Sequence, residues 1–555
     1  MGKSKASKDK KRKAIVYKSS QANASFTHIE VHNTKHSISK TTTARLVEKP
    51  AEGSHQEWGN EGFDGGSWDD RWEEFGLGSM PGGWDSEREP EEISEKPRPA
   101  EPGNIKDNPL ATWKEIHRDK YLDWNLATEG RGRIYHQNPM CSSCGASEAD
   151  LRCLDCFALR MVCKPCMLRK HGDTPLHRPQ EWTKNFFQSI SLRTLGSRIY
   201  LGHGPGMRCP YPQIQSEFTV LHCNGIHIVA LDFCGCEGAP ERHLQLMEIG
   251  WWPASYKEPR TAATFELLRK FHIINLQCQT PPTDFYRSLE QITDGSCLSK
   301  IPDRSQQWMW ILREYRNVKM AKRCGRGHAP SGMAGTAYGE ATVPCRACPD
   351  PACNLPAGWD KVPPEDQYLY GLFLSQDANF KQKARSRPND SKDPPLGPGW
   401  GCFVPNDIYI QEVAKHTNQQ EISHCAGFKA IAHANTKKSK GLRATGIGAV
   451  SCARHGTFRP NGMGDLQFGE RYSNMDFIGL FSIIGLHMLS LFFFSYDIAC
   501  QWAVNFWTRM AEFPEPMHIP STAKVIFKVP KFHLVAHGLR CLAKFAFCYT
   551  EGAAK

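Results

Sequence analysis

Leu489-Ser490-Leu491-Phe492-Phe493-Phe494-Ser495-Tyr496-Asp497-Ile498-Ala499-Cys500-Gln501-Trp502 is a short run of large apolar residues that stops on a carboxylate. A continuous apolar stretch of this length reads as a buried strand, with the acid at its exposed end. An ionised carboxylate in apolar surroundings is costly unless paired, and a metal ion is a common partner. Upstream, Tyr368-Leu369-Tyr370-Gly371-Leu372-Phe373-Leu374-Ser375-Gln376 leads in the same way into Asp377-Ala378-Asn379-Phe380. The ordinary role of a single strand-end aspartate is a cap or turn. Two of them suggest half of a divalent-metal site for phosphoryl transfer, provided that folding closes the 120 positions between them.

The 555 residues leave room for roughly three or four domains. Hydrophobic content of 40% and a mean hydropathy of −0.51 fit a mostly globular chain. The net charge of +11 is unevenly spread. Met1 to Lys18 carry eight Lys/Arg against one Asp, whereas residues 51–101 carry fifteen Asp/Glu against four Lys/Arg. The remainder is therefore basic in its own right, which suits a polyanionic partner. Lys8-Asp9-Lys10-Lys11-Arg12-Lys13 has the character of a nuclear-import signal and gives the expectation of a nuclear protein. No apolar segment follows that basic run, so the 22 cysteines are read as metal ligands in a reducing compartment rather than as disulfides. Phe477 to Phe494 is apolar, but His487 interrupts it and Lys/Arg flanks are missing; a buried helix or strand pair is expected, not a membrane span.

The composition divides the chain into an unstructured basic-then-acidic tail (1–108), a cysteine-rich domain (109–300), a helical, Cys-containing connector (301–360) and a final domain (361–555) with a polar insertion at 381–475. Helices are expected at 111–126, 262–274, 282–292 and 306–322, and strands at 217–220 and 226–233. The fold class is multidomain α+β.

Cys141, Cys144, Cys153, Cys156, Cys163, Cys166, His171 and His177 place eight ligands in 37 residues. Zinc takes four such ligands tetrahedrally, so eight make two closed structural sites. The spacing suggests an interleaved arrangement like that of B-box and related fingers. Cys141, Cys144, Cys163 and Cys166 would hold one ion, and Cys153, Cys156, His171 and His177 the other. Such a module could also dock a protein partner. Cys345 and Cys348 form a further half-site that Cys452 and His455 could complete. Cys234 and Cys236 could ligate a metal with Cys209, Cys223 or His222, or simply pack. His533, His537 and Cys541 are spaced to share one face of a helix, where they could pack, bind zinc or touch phosphate.

An RNase H-like fold brings two strand-end acids together on adjacent strands, where they hold two Mg²⁺ ions roughly 3.5–4 Å apart. The words around the acids narrow the reading further. Asp377-Ala378-Asn379-Phe380, Gly469-Glu470-Arg471-Tyr472-Ser473-Asn474-Met475-Asp476, Ser495-Tyr496-Asp497-Ile498-Ala499-Cys500-Gln501-Trp502 and Val529-Pro530-Lys531-Phe532-His533-Leu534 closely resemble the KDZ (Kyakuja-Dileera-Zisupton) transposases. Asp232-Phe233-Cys234-Gly235-Cys236, Gly250-Trp251-Trp252-Pro253 and Asp284-Phe285-Tyr286-Arg287-Ser288-Leu289 resemble the cysteine-cluster domain that accompanies them. The resemblance implies a zinc-binding cysteine-cluster domain followed by an RNase H-like α/β core, with DNA at transposon ends as partner. Asp377 and Asp497 match the first two acids, ligands of catalytic Mg or Mn. The third is expected in an Asp-Gly-Glu word soon after Phe547 and Cys548, and that word is missing before Lys555. The expectation is therefore an incomplete core and a catalytically incomplete copy. The alternative is a non-catalytic, zinc-dependent DNA- or protein-binding factor derived from a transposase.

Overall fold

The computed structural model describes the strands within residues 12–45 and, from Asn108 to Thr550, all residues except 205, 387–393, 417–440, 468, 536 and 538. Two compact units result, Met1–Gly103 and Asn104–Lys555. In the first, β1 (Arg12–Lys18), β2 (Ser25–Thr34) and β3 (Ser37–Arg45) pair as an antiparallel meander. Composition suggested no ordered element there; the β-branched residues of these three runs supply the strand propensity. The basic run before Arg12 and the Trp- and acid-rich segment lie outside the described residues.

The second unit opens with helical turns from Pro109 to Glu129. Asn108 caps them, its side chain accepting from the backbone N–H groups of Leu110 and Ala111. A small three-stranded antiparallel sheet follows, from β4 (Leu151–Cys153), β5 (Pro179–Trp182) and β6 (Phe187–Ser189). Next, β7 (Ile199–Tyr200), β8 (Pro212–His222), β9 (Gly225–Cys234), β10 (Trp251–Pro253) and β11 (Thr261–Thr264) form a sheet of order β10-β11-β8-β9-β7. Helices Phe265–Cys278, Pro282–Thr293 and Ser305–Arg323 cover it. Trp308, Ile311 and Leu312 of the last helix are buried in the same core as Leu267, Phe271 and Leu289. That helix therefore belongs to this domain's core rather than to a connector beginning at 301.

The final sheet is built from β12 (Leu372–Asn379), β15 (Gly446–Cys452), β16 (Phe458–Leu466), β17 (Leu491–Tyr496) and β18 (Lys524–Lys528), in the order β16-β15-β12-β17-β18. Strands β13 (Ala384–Arg385) and β14 (Leu442–Ala444) pair separately. The first three core strands are antiparallel neighbours, whereas β17 and β18 run parallel to β12. β17 is buried along its whole length, which explains its unbroken apolar sequence. Phe494 packs against Trp502, Phe506 and Phe527, and Phe493 stacks on Phe373 at 4.9 Å.

The supposed insertion at 381–475 contains β15 and β16, two strands of this sheet. Their glycines conceal the apolar pattern. A Cβ at Gly448 or Gly464 would lie 2.9 Å from Ile478 Cδ1, so the hairpin packs backbone-close against helix Tyr472–Phe481.

Candidate active site and cysteine–histidine centres

Gln376 on β12 lies across from Tyr496 on β17, the last residue pair before the two acids. Asp377 and Asp497 each stand one residue further along adjacent parallel strands, on the same side of the sheet. Each carboxylate accepts the backbone N–H of its following residue, Ala378 at 2.7 Å and Ile498 at 2.8 Å. Burial pushes the Asp497 carboxyl up to about 6, and the charge of Asp377 adds to the effect, while His533 and the backbone N–H of Ile498 oppose it. Such a pair resists full ionisation unless a cation joins it.

The other acids of the same sequence words serve the scaffold. Glu470 is buried and accepts from the Tyr496 hydroxyl. Asp476 is 0% exposed and receives Arg509 Nε and Trp502 Nε1, each at 2.5 Å. Arg509 also lies over the Tyr472 ring at 4.9 Å. These bonds fix helix Tyr472–Phe481 behind the strand that presents Asp497.

The eight ligands between 141 and 177 converge as two interleaved sets. In each, the ligand atoms lie within 4.8 Å of one another. Cys144 Sγ and Cys163 Sγ are 3.8 Å apart, matching the sulfur spacing of about 3.8 Å that Zn–S bonds of 2.3 Å require in a tetrahedron. Cys141 is buried, which raises a thiol, yet the backbone N–H groups of Cys163, Cys144 and Ser143 outweigh that and lower it to about 6. In the second set Cys156 Sγ lies 3.2 Å from His171 Nε2 and 3.4 Å from His177 Nδ1. His171 Nδ1 is 2.8 Å from the carbonyl of Met167, which leaves Nε2 as the ligand nitrogen.

Cys234 and Cys236 join Cys209, as one of the readings had it, but with His203 rather than His222 or Cys223. His222 instead meets Thr264 Oγ1 at 2.9 Å. His203 Nε2 lies 3.3 Å from Cys234 Sγ. It stands 31 positions before Cys234 and in no C-x2-C pair, so spacing gave no warning of it. Gly202 before it has φ +77° and leaves no room for a Cβ, which would lie 2.4 Å from Cys234 Cβ. That tight glycine turn beside a histidine was the readable signal.

Cys345, Cys452 and His455 form another group, with His455 Nδ1 3.6 Å from both sulfurs. Cys348 is buried in the core near Cys452, and its thiol proton helps hold the Cys452 thiol down to about 4. Because Cys452 ends β15, this centre ties the 345–348 loop to the sheet that carries Asp377. The described cysteines are all free of disulfides.

The model of the Kyakuja-Dileera-Zisupton transposase family matches residues 370–555. Residues 370–555 belong to the KDZ transposase family. Upstream, residues 192–296 match the CxC2 like cysteine cluster associated with KDZ transposases. That match contains the centre of His203, Cys209, Cys234 and Cys236, whereas the pair of centres at 141–177 precedes it. The curated proteins and the solved structures gave no match. The chain is thus transposase-derived, with a KDZ domain and its associated cysteine cluster on one polypeptide. No helix among the described residues is long and apolar enough to cross a membrane.

Proposed function

We propose that the KDZ domain is an RNase H-like core that binds DNA and divalent metal for phosphodiester chemistry, with Asp377 and Asp497 as two of the metal ligands. The observation that carries this reading is the register of β12 and β17, which sets the two acids side by side at the ends of parallel strands. The strand order, with three antiparallel strands followed by two parallel ones, supports the RNase H-like reading.

In this reading the ionised carboxylates hold Mg²⁺ or Mn²⁺, which would activate the attacking oxygen and stabilise the leaving one. The protein's own part is to keep both acids on rigid strands and to bury Asp497 so that its charge depends on a cation. The Glu470–Tyr496 and Asp476–Arg509 contacts keep β17 from shifting. Four cysteine–histidine centres would hold structural zinc, two at 141–177, one at 203–236 and one at 345–455. The basic body would draw DNA to the acids, and a nuclear location would follow from that substrate.

The test is Mn²⁺ binding and Mn²⁺-dependent nicking of transposon-end DNA by the full chain, alongside Asp377→Ala and Asp497→Ala. Loss of Mn²⁺ binding in both variants, with zinc content and DNA affinity retained, supports the site. Nicking that persists with both acids replaced removes it. Zinc-dependent DNA binding with no Mn²⁺ uptake by the wild type would favour the non-catalytic binding factor.

A further inference from the structure

The segment after β18 sends Leu534 into the apolar core and packs Phe545 against it, but leaves other large apolar side chains in solvent. Phe532, Val535 and Leu539 are 88%, 88% and 84% exposed. His533 and His537 do not share one continuous helix, because Lys531–Leu534 ends before Leu539–Phe545 begins. His533 lies close enough for its charge to act on the Asp497 carboxyl, whereas His537 is buried. The ligand atoms of His537, Cys541 and Cys500 come within 4.8 Å of one another. Cys500 stands three positions past Asp497, at the start of helix Ala499–Trp502.

We propose that Cys500, His537 and Cys541 bind a zinc ion that staples the 531–545 segment to the strand end carrying Asp497. Two thiols and an imidazole are a zinc donor set, and water would fill the fourth position. The 3.4 Å between Cys500 Sγ and His537 Nδ1 fits the separation of about 3.5 Å expected for sulfur and nitrogen on one tetrahedral zinc. Such a cross-link would add to the anchoring that Leu534 and Phe545 give the segment.

This assignment stands apart from the proposed DNA chemistry, and its test reads metal rather than nicking. Zinc content is measured on the full chain and on Cys500→Ser, Cys541→Ser and, as a control, the exposed Cys548→Ser. The first two should lose about one equivalent of zinc and the control none. Unchanged zinc in both serine variants overturns the site. Should those variants not fold, His537→Cys with Co²⁺ in place of zinc decides: added Co²⁺–thiolate absorption with retained metal supports the assignment. Loss of one equivalent in that variant also supports it, whereas wild-type absorption with full metal content overturns it.

Discussion

Asp497 is held one residue past the paired length of β17, half-buried, with a second carboxylate across the strand gap. Its proton affinity in the folded chain, raised to about 6 from 3.8, has a definite sign for stability. At low pH both folded and unfolded chains carry the proton, and burial costs little. As pH rises from about 4 to about 6, the unfolded chain releases it first, so the metal-free fold loses stability through that window and then levels off. Asp497→Asn removes this loss. In zinc-replete buffer without Mg²⁺ or Mn²⁺, the variant should gain on the order of 1 kcal/mol on the wild type between roughly pH 5 and 7. Denaturant titrations showing a pH-independent difference would contradict the buried-carboxylate account. The neighbouring ion pair behaves oppositely. Asp476 is fully buried against Arg509, so Arg509→Leu strands an uncompensated charge and should cost about 3–5 kcal/mol in urea unfolding. Adding Asp476→Asn should recover part of that loss; no recovery would mean that Arg509 acts by packing alone.

At the scale of elements, what could be read in the sequence followed from how each element is buried. β17 lies inside the protein on both faces, so its apolar run announced itself, and β12 did so nearly as clearly. The two zinc-type sets at 141–177 could be grouped because their ligands are close in sequence and regularly spaced. The hairpin β15–β16 was invisible for the reverse reason: where a helix packs backbone-close, glycine replaces the large apolar residues on which strand reading depends. His203 was missed because folding, not spacing, carries it to Cys234. The hairpin makes its own prediction. Gly464→Ala would set a Cβ 2.9 Å from Ile478 Cδ1 and 3.2 Å from the Tyr409 ring. The expected cost is about 1–3 kcal/mol by thermal or urea unfolding. Since Ile478→Ala empties the same space, the double variant should lose less than the sum of the two singles. Strict additivity would show that the helix does not press on the hairpin there.

At the scale of the whole molecule, the cysteine–histidine centres differ in how much apolar core stands behind them, and this fixes the order in which metal loss should undo the structure. Around Phe492, Phe494, Tyr496 and Trp502 the KDZ domain has a large buried cluster that does not depend on its Cys345–His455 centre for most of its apolar contacts. The module at 141–190 is the opposite case. Its strands are three or four residues long, and Cys141, Cys153, Cys163 and Cys166 are themselves much of its buried core. So small a core cannot offset the chain entropy of ordering it, and metal binding becomes folding energy. Stripping zinc with a strong chelator at neutral pH should therefore abolish hydrogen-exchange protection across 141–190 first. Amides of β8, β9, β12 and β17 should stay protected long after that module has opened. Readdition of zinc should restore the lost protection, since the ligands need only deprotonated thiols and a neutral imidazole to reassemble. Protection at 141–190 that survives complete removal of zinc would show that side-chain packing alone holds those eight ligands together.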